Sequence, residues 1–386
     1  MRFTVLDAWR GLAALAVALS RFGAEGTIYR SPFVAHSYLF VDFFFVLSGF
    51  VIAHAYLAKV QDGTSMGAFA IRRFGRLWPL HAAMFVLFLL YEAVRTFLPA
   101  SADGAAPFTG LRDPSTILPE LGFLSTLGFG PTGWNHPSWS ISAEFWTYLL
   151  FGAICLSFRP AFAKVALAVA AICMAVVVSL STTGMDVTFS FGILRCIAGF
   201  FIGCATYLAF TRWRSRWTAE GASATLIEAA CVLGALAFVW FAGRGALSFA
   251  APMVFAILVY VFAFERGAAS RALQRGPFQF VGELSYSIYM VALFVAMVSQ
   301  KAITIVDGRF GGGHSEMLPD GVFMLKLPGP ALNDLASIVF AIGVVVFSAI
   351  TFRLIEAPGR RFFNRLSERI AQPRRTAAHG GLAAGE

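Results

Sequence analysis

The chain has 386 residues, of which 58% are hydrophobic and 13% charged, with a mean hydropathy of +0.72 and a formal net charge of +9. Soluble domains carry about a quarter charged residues, so this composition excludes an ordinary soluble enzyme and indicates an all-α polytopic membrane protein. In such a chain the excess of positive charge bears on loop orientation, and no nucleic-acid partner is expected.

Apolar stretches of about twenty residues place about ten spans, near 6–23, 37–57, 78–98, 139–158, 164–181, 190–210, 224–242, 246–264, 279–299 and 333–354. The first, LDAWRGLAALAVALSRFG, has the apolar run of a signal peptide. Asp7, however, puts an acid where a basic segment belongs, and the stretch is expected to be retained. An eleventh stretch, 117–131, is broken by Pro119, Gly122, Gly128, Gly130 and Pro131, which suits a re-entrant or interfacial segment. Most of the thirty Lys and Arg fall on one side of this map, in Arg72–Arg73–Arg76, Arg212–Arg214–Arg216, Arg266–Arg271–Arg275 and the run from Arg360 onward. Basic residues are enriched in cytoplasmic loops, so both termini are expected in the cytoplasm. Residues 1–358 then form the transmembrane domain. The tail 359–386 opens as a basic amphipathic segment suited to anionic lipid and ends in an Ala/Gly-rich stretch expected to be disordered. On the opposite face lie two long loops, 99–138 and 300–332, a length that often carries function. The five cysteines (Cys155, Cys173, Cys196, Cys204 and Cys231) sit in or beside apolar runs with no CxxC spacing, so neither a disulfide framework nor a metal site is expected.

Charges inside spans are costly, about 2.5 to 3.5 kcal/mol on insertion scales, and each marks a candidate site. They gather in the first half: Asp7, Arg10 and Arg21 in the first span, Asp42 in the second, Glu144 in the fourth, with Arg195 and Glu228 further on. Arg10 and Arg21 would share one face of a helix roughly 16 Å apart along its axis. They either line a polar path or reach out to the headgroups on each side. Ser48-Gly49, in the middle of VDFFFVLSGFVIAHAY, permits close approach of a backbone or a ligand. Arg72, Arg73 and Arg76 together can clamp phosphates as well as anchor a loop. Glu144 lies a turn and a half below Trp139-Ser140 and is a candidate general base. Tyr286 and Tyr289 open the ninth span, as site residues or as an interfacial belt.

Six fragments occur in order along nearly the whole chain: LDAWRGLAAL at 6–15, VDFFFVLSGFVI at 41–52, FAIRRFGRLWPL at 69–80, WSISAEFWTYLLF at 139–151, VGELSYSIYM at 281–290 and IEAPGRRFF at 355–363. Together they resemble the acyltransferase-three family of integral membrane O-acyltransferases, which modify sugars of the bacterial cell envelope and related acceptors. The resemblance implies a multi-pass protein of the bacterial inner membrane that moves an acyl group, usually acetyl, from cytoplasmic acyl-CoA to a hydroxyl of an envelope carbohydrate or glycolipid. Acyl-CoA, here acetyl-CoA, is then a donor substrate, no cofactor is bound, and the partners are membrane lipid and the acceptor.

By the same resemblance the donor site would involve Arg10, Arg72, Arg73, Ser48 and Gly49, and the acceptor side Trp139, Ser140 and Tyr286. Glu144 would serve in catalysis. One position departs from the pattern. Eleven residues after the first-span Arg the family carries a His thought to act in acyl transfer, and here that position is Arg21; Ala292 likewise stands where a second His is usual. Arginine stays protonated and cannot act as a base. Arg21 could instead stabilise a developing oxyanion, while His36, His136 or Glu144 takes the base role. The alternative is a non-catalytic relative using the same polar path, as a polysaccharide or lipid-linked-sugar transporter or accessory subunit. A general solute transporter is disfavoured because no internal repeat is visible.

Overall fold

The computed structural model describes residues 2–61, 65–97, 106–128, 133–188, 190–318 and 321–371. Among these, twelve helices of eight residues or more form a bundle: α1 (Thr4–Leu19), α2 (Phe40–Gln61), α3 (Met66–Arg95), α4 (Ser138–Ser157), α5 (Phe162–Leu180), α6 (Gly192–Trp213), α7 (Gly221–Ala242), α8 (Ala251–Phe262), α9 (Gly276–Glu283), α10 (Ser285–Phe310), α11 (Pro330–Thr351) and α12 (Ala357–Ala371). Eight helical stretches are long and apolar enough to cross a membrane. The first and eighth expected spans, α1 and the segment Ala246–Phe262, are shorter. Side chains such as Leu226, Leu233, Phe241, Ile172 and Ile342 point outward from the bundle and are largely exposed. Such a surface suits lipid, where helices alone keep every backbone group hydrogen-bonded.

Several boundaries differ from the hydropathy reading, each for a local reason. The third helix begins at Met66, twelve residues before the expected span, so Pro79 lies inside it and Arg72, Arg73 and Arg76 ride on helix. The Pro79 ring packs against Gly359 of α12, where a Cβ would lie 2.6 Å from it. The first helix stops at Leu19, and Arg21 falls in the turn beyond it, where its N–H bonds the Ala18 carbonyl. The helical spacing expected between Arg10 and Arg21 therefore does not extend to Arg21. The ninth span is split at Leu284 into α9 and α10. At its far end α10 stops at Gly311, which adopts φ +67 and closes the helix in the left-handed region that glycine tolerates.

Close helix contacts fix the core. A Cβ on Gly203 would lie 1.9 Å from the Val46 carbonyl oxygen, and one on Gly49 would lie 1.8 Å from that of Phe200. So α2 and α6 touch backbone to backbone, as small residues allow in membranes. Beside this seam Arg195 of α6 pairs in bidentate fashion with Asp42 of α2, at 2.9 and 2.7 Å, both side chains being buried. Two of the intramembrane charges are thereby accounted for as a structural clamp. Glu228 is another: its carboxylate accepts from the Gly267 and Ser270 amides at the start of the short helix Ala268–Leu273.

The broken segment near 117–131 enters the bundle as the five-residue helix Ile117–Leu121 followed by turns, its residues 129–131 lying outside the described residues. Side-chain donors satisfy its carbonyls: Trp78 bonds Leu121, His81 bonds Glu120, and Ser142 and Trp146 both bond Phe123. Buried carbonyls outside a regular helix need such partners. In the other long loop the strands β1 (Ser315–Met317) and β2 (Phe323–Leu325) form an antiparallel hairpin. Leu325 exchanges backbone hydrogen bonds with Gly23 and Glu25, so the hairpin lies on the turn that carries Arg21. The tail does not leave the bundle at 359. Residues Phe352–Glu356 form a π-helical turn and α12 folds back on α3, with Phe363 meeting Phe74 and Arg72 donating to Ser367. The rest of the tail, from 372, lies outside the described residues.

Candidate functional site

A cavity of about 590 Å³ opens among α1, α2, α3, α4, α10 and α12. Along α2 its wall runs from Val41 through Phe44, Ser48 and Ile52 to Tyr56. Fifteen helical positions span about 22 Å, a large part of a hydrocarbon core about 30 Å thick. One end carries an excess of basic side chains, Arg2, Arg72, Arg73 and Arg360 against Asp7, Glu283 and Glu368; the other is formed by Val41, Phe44, Ser140 and Tyr289. Between them stand Arg10, Arg76, Ser48, Glu144, Tyr148 and Tyr286.

Each of these groups is held from behind. On α3 the guanidinium of Arg73 lies 4.8 Å over the Tyr56 ring and donates to its hydroxyl at 3.0 Å, while its Nε is buried without a partner among the described residues. Arg76 faces Glu356, whose other oxygen accepts from Ser287. Glu356 sits at the end of the π-turn, and such turns gather at functional sites. Arg10 donates to Ser285 at 2.6 Å and pairs with Asp7 at 3.2 Å. Tyr286 donates to the Leu77 carbonyl, bracing α10 against α3. On α12, Arg360, Asn364 and Glu368 recur every four residues and face the cavity in one stripe.

At mid-depth three polar side chains meet. The Ser48 hydroxyl donates to the Glu144 carboxylate, the Tyr148 hydroxyl donates to the same oxygen at 2.6 Å, and the two hydroxyls are 2.9 Å apart. Glu144 and Tyr148 are one turn apart on α4 and so share a face. Toward the far end Ser140 and Tyr289 are 2.9 Å apart.

The cavity thus joins Arg10, Ser48, Arg72, Arg73, Ser140, Glu144 and Tyr286 of the residues marked in the sequence. It does not join four others. Gly49 faces α6, where it permits the backbone contact described above. Trp139 packs on Phe45 and near Arg195. His36 turns toward α7 and bonds the Val239 carbonyl at 2.9 Å. Arg21 lies beyond the far end, within electrostatic reach of Tyr289 and His136, with its Nε buried and unpartnered among the described residues. Burial, with a further push from Arg21, lowers the His136 imidazole to about 4, so it is neutral at physiological pH. Arg76 and Tyr289, also marked in the sequence, line the same cavity, while Tyr148 and Glu356 are site residues not singled out beforehand. The four-residue spacing from Glu144 was a legible signal for Tyr148; Glu356 lies in the fragment IEAPGRRFF, but nothing local pairs it with Arg76. No cluster of His, Cys, Asp or Glu suited to a metal occurs among the described residues.

Apolar helices around a deep cavity that is basic at one end define a multi-pass membrane protein with an internal polar site. The acyltransferase-three family model, described as an acyltransferase domain, matches residues 3–354, and the chain belongs to this family. It is similar to "Protein 2 in picA locus" of Rhizobium radiobacter, 47% identical over 91 residues, which are 23% of this chain and 46% of that protein. It is also similar to "Acyltransferase MdmB" of Streptomyces mycarofaciens, 35% identical over 115 residues, which are 29% of this chain and 26% of that protein. The matched regions thus span about half of one relative and a quarter of the other. No solved structure matches the chain.

Proposed function

We propose that the protein transfers an acyl group, in the simplest case acetyl, from cytoplasmic acyl-CoA to a hydroxyl of an envelope carbohydrate or glycolipid. The observation that carries this reading is the single cavity joining the Arg72–Arg73 end to Glu144. Arginine forks suit the phosphates of a CoA donor, and its acyl-pantetheine arm would run along α2 toward Ser48. Glu144 would take the proton of the attacking hydroxyl as general base. Arg10 and Arg76 present positive charge to the same region from α1 and α3, where a tetrahedral oxyanion would form. The acceptor would enter by the end that holds Ser140 and Tyr289.

This arrangement does not need a first-span His. Arg21 stands outside the cavity and serves, in this proposal, to attract or orient an acceptor at the far end together with neutral His136. The test is transfer of radiolabelled acetyl from acetyl-CoA to a bacterial envelope glycolipid extract by purified protein in liposomes. Label should appear in the glycolipid with wild type and fall to background with Arg10→Ala. No label above that variant would favour the non-catalytic transporter or accessory role and sink the enzyme. In the same assay Arg21→His is expected to alter the dependence on acceptor more than on donor.

A further inference from the structure

Three hydroxyls of serine line the cavity, at positions 48, 140 and 285, and they differ in what they touch. Ser285 accepts from Arg10, and Ser140 bonds the Pro137 carbonyl and Tyr289. Ser48 alone of the three donates to a carboxylate, that of Glu144. Tyr148 holds the same carboxylate oxygen from the side, at 2.6 Å, and contacts the Ser48 oxygen at 2.9 Å. A hydroxyl bonded to a base that is itself oriented by a third group is the arrangement of an activated nucleophile. Its direction is set by the fold, since the adjacent Gly49 locks α2 against α6 and turns Ser48 into the cavity.

The position along the cavity matters as well. Ser48 lies eight residues, about 12 Å of helix, from Tyr56 at the basic end and seven residues from Val41 at the other. Pockets that enclose a drug-sized molecule measure about 300–1,000 Å³, so a cavity of about 590 Å³ suits one reactant at a time more than a CoA arm and a glycolipid together. A group arriving from the basic end has to wait for a partner arriving from the other.

We propose that Ser48 is the nucleophile of a two-step transfer and carries the acyl group as an ester between the two substrates. This rests on the acyltransferase function proposed above. In the first step Oγ of Ser48 bonds to the thioester carbonyl carbon and its proton passes to Glu144. The C–S bond breaks, and the departing thiolate takes that proton from Glu144 to leave as free CoA thiol. In the second step the acceptor hydroxyl oxygen bonds to the ester carbon and gives its proton to Glu144. The bond from the carbonyl carbon to Oγ then breaks, and Oγ recovers the proton from Glu144. The sum is acyl-CoA plus alcohol to ester plus CoA, with no other reactant.

The experiment uses the full chain in liposomes with radiolabelled acetyl-CoA and no acceptor, quenched in acid. Expected are a burst of free CoA approaching one per chain and label that stays with the denatured protein, is released by hydroxylamine, and maps to the peptide containing Ser48. Ser48→Ala should lose both and reduce transfer to envelope glycolipid extract by about a thousandfold, with an unchanged unfolding midpoint. Ser48→Cys should retain label as a hydroxylamine-labile thioester. Transfer to glycolipid by wild type with no ester on Ser48, or undiminished transfer by Ser48→Ala, overturns the relay while leaving the acyltransferase function intact. Absence of both label and transfer in wild type overturns both.

Discussion

Arg73 stacks on Tyr56, spends one nitrogen on that ring's hydroxyl and keeps Nε buried and unpaired among the described residues. A buried guanidinium donor with no acceptor is costly to retain unless a ligand supplies one. Arg73→Gln is therefore expected to raise KM for acetyl-CoA while leaving kcat nearly unchanged. Hydrogen bonds to charged groups contribute about 1.5–3 kcal/mol, which corresponds to about 10- to 150-fold in KM. Steady-state kinetics on proteoliposomes checks this; an unchanged KM would remove Arg73 from the donor site. Arg72, by contrast, donates to Ser367, and its side chain also ties α3 to α12.

At the scale of elements, the seam between α2 and α6 decides which side of α2 faces the cavity. Glycines at 49 and 203 bring the backbones together, and the Asp42–Arg195 pair pins one end. Gly203→Leu would drive a side chain into the Val46 carbonyl. Overpacking of this kind costs about 1–3 kcal/mol, so a lower unfolding midpoint in detergent and reduced transfer are expected. Gly343→Leu, on α11 where a Cβ would meet nothing within 4 Å, is the matched control and should leave the midpoint in place. Equal midpoints for the two variants would show that the seam does not limit stability. The same contact explains why the Ser-Gly pair read two ways in sequence: the serine belongs to the cavity and the glycine to the packing.

For the molecule as a whole, the segment from Ile117 to Gly128 is the inserted piece, its Glu120, Leu121 and Phe123 carbonyls taking side-chain donors from α3 and α4. Glu120, buried within it, accepts from Ser138 with one oxygen, while its other oxygen has no partner among the described residues. Burial pushes its carboxyl up from 4.5 to about 7, against a smaller opposing effect of the Ser138 hydrogen bond. A raised folded-state value means that the folded protein binds more protons than the unfolded chain between those two pH values. Stability from this group is then fully present below about pH 4.5 and is lost as pH rises through 7. The unfolding midpoint of wild type should fall over that window more steeply than that of Glu120→Gln. Parallel curves for the two proteins would assign the pH dependence to other groups.

Composition, the apolar runs and six short fragments determined the membrane class, the family resemblance and most of the polar residues that meet in one cavity, because hydropathy and helical period are local properties. Tyr148 was within reach of the same reasoning, one turn from Glu144. The tertiary structure decided the rest. Asp42, Arg195 and Glu228 looked like Glu144 in sequence, as charges in spans, and only packing separates a clamp or a helix cap from a group facing open space. Glu356 reaches Arg76, and α12 closes the cavity across nearly 300 residues of chain, through contacts that no local pattern encodes. Arg21 stood where a helix-long ruler placed it on the face of Arg10; the early end of α1 at Leu19 moved it to the turn beneath the hairpin, outside the cavity.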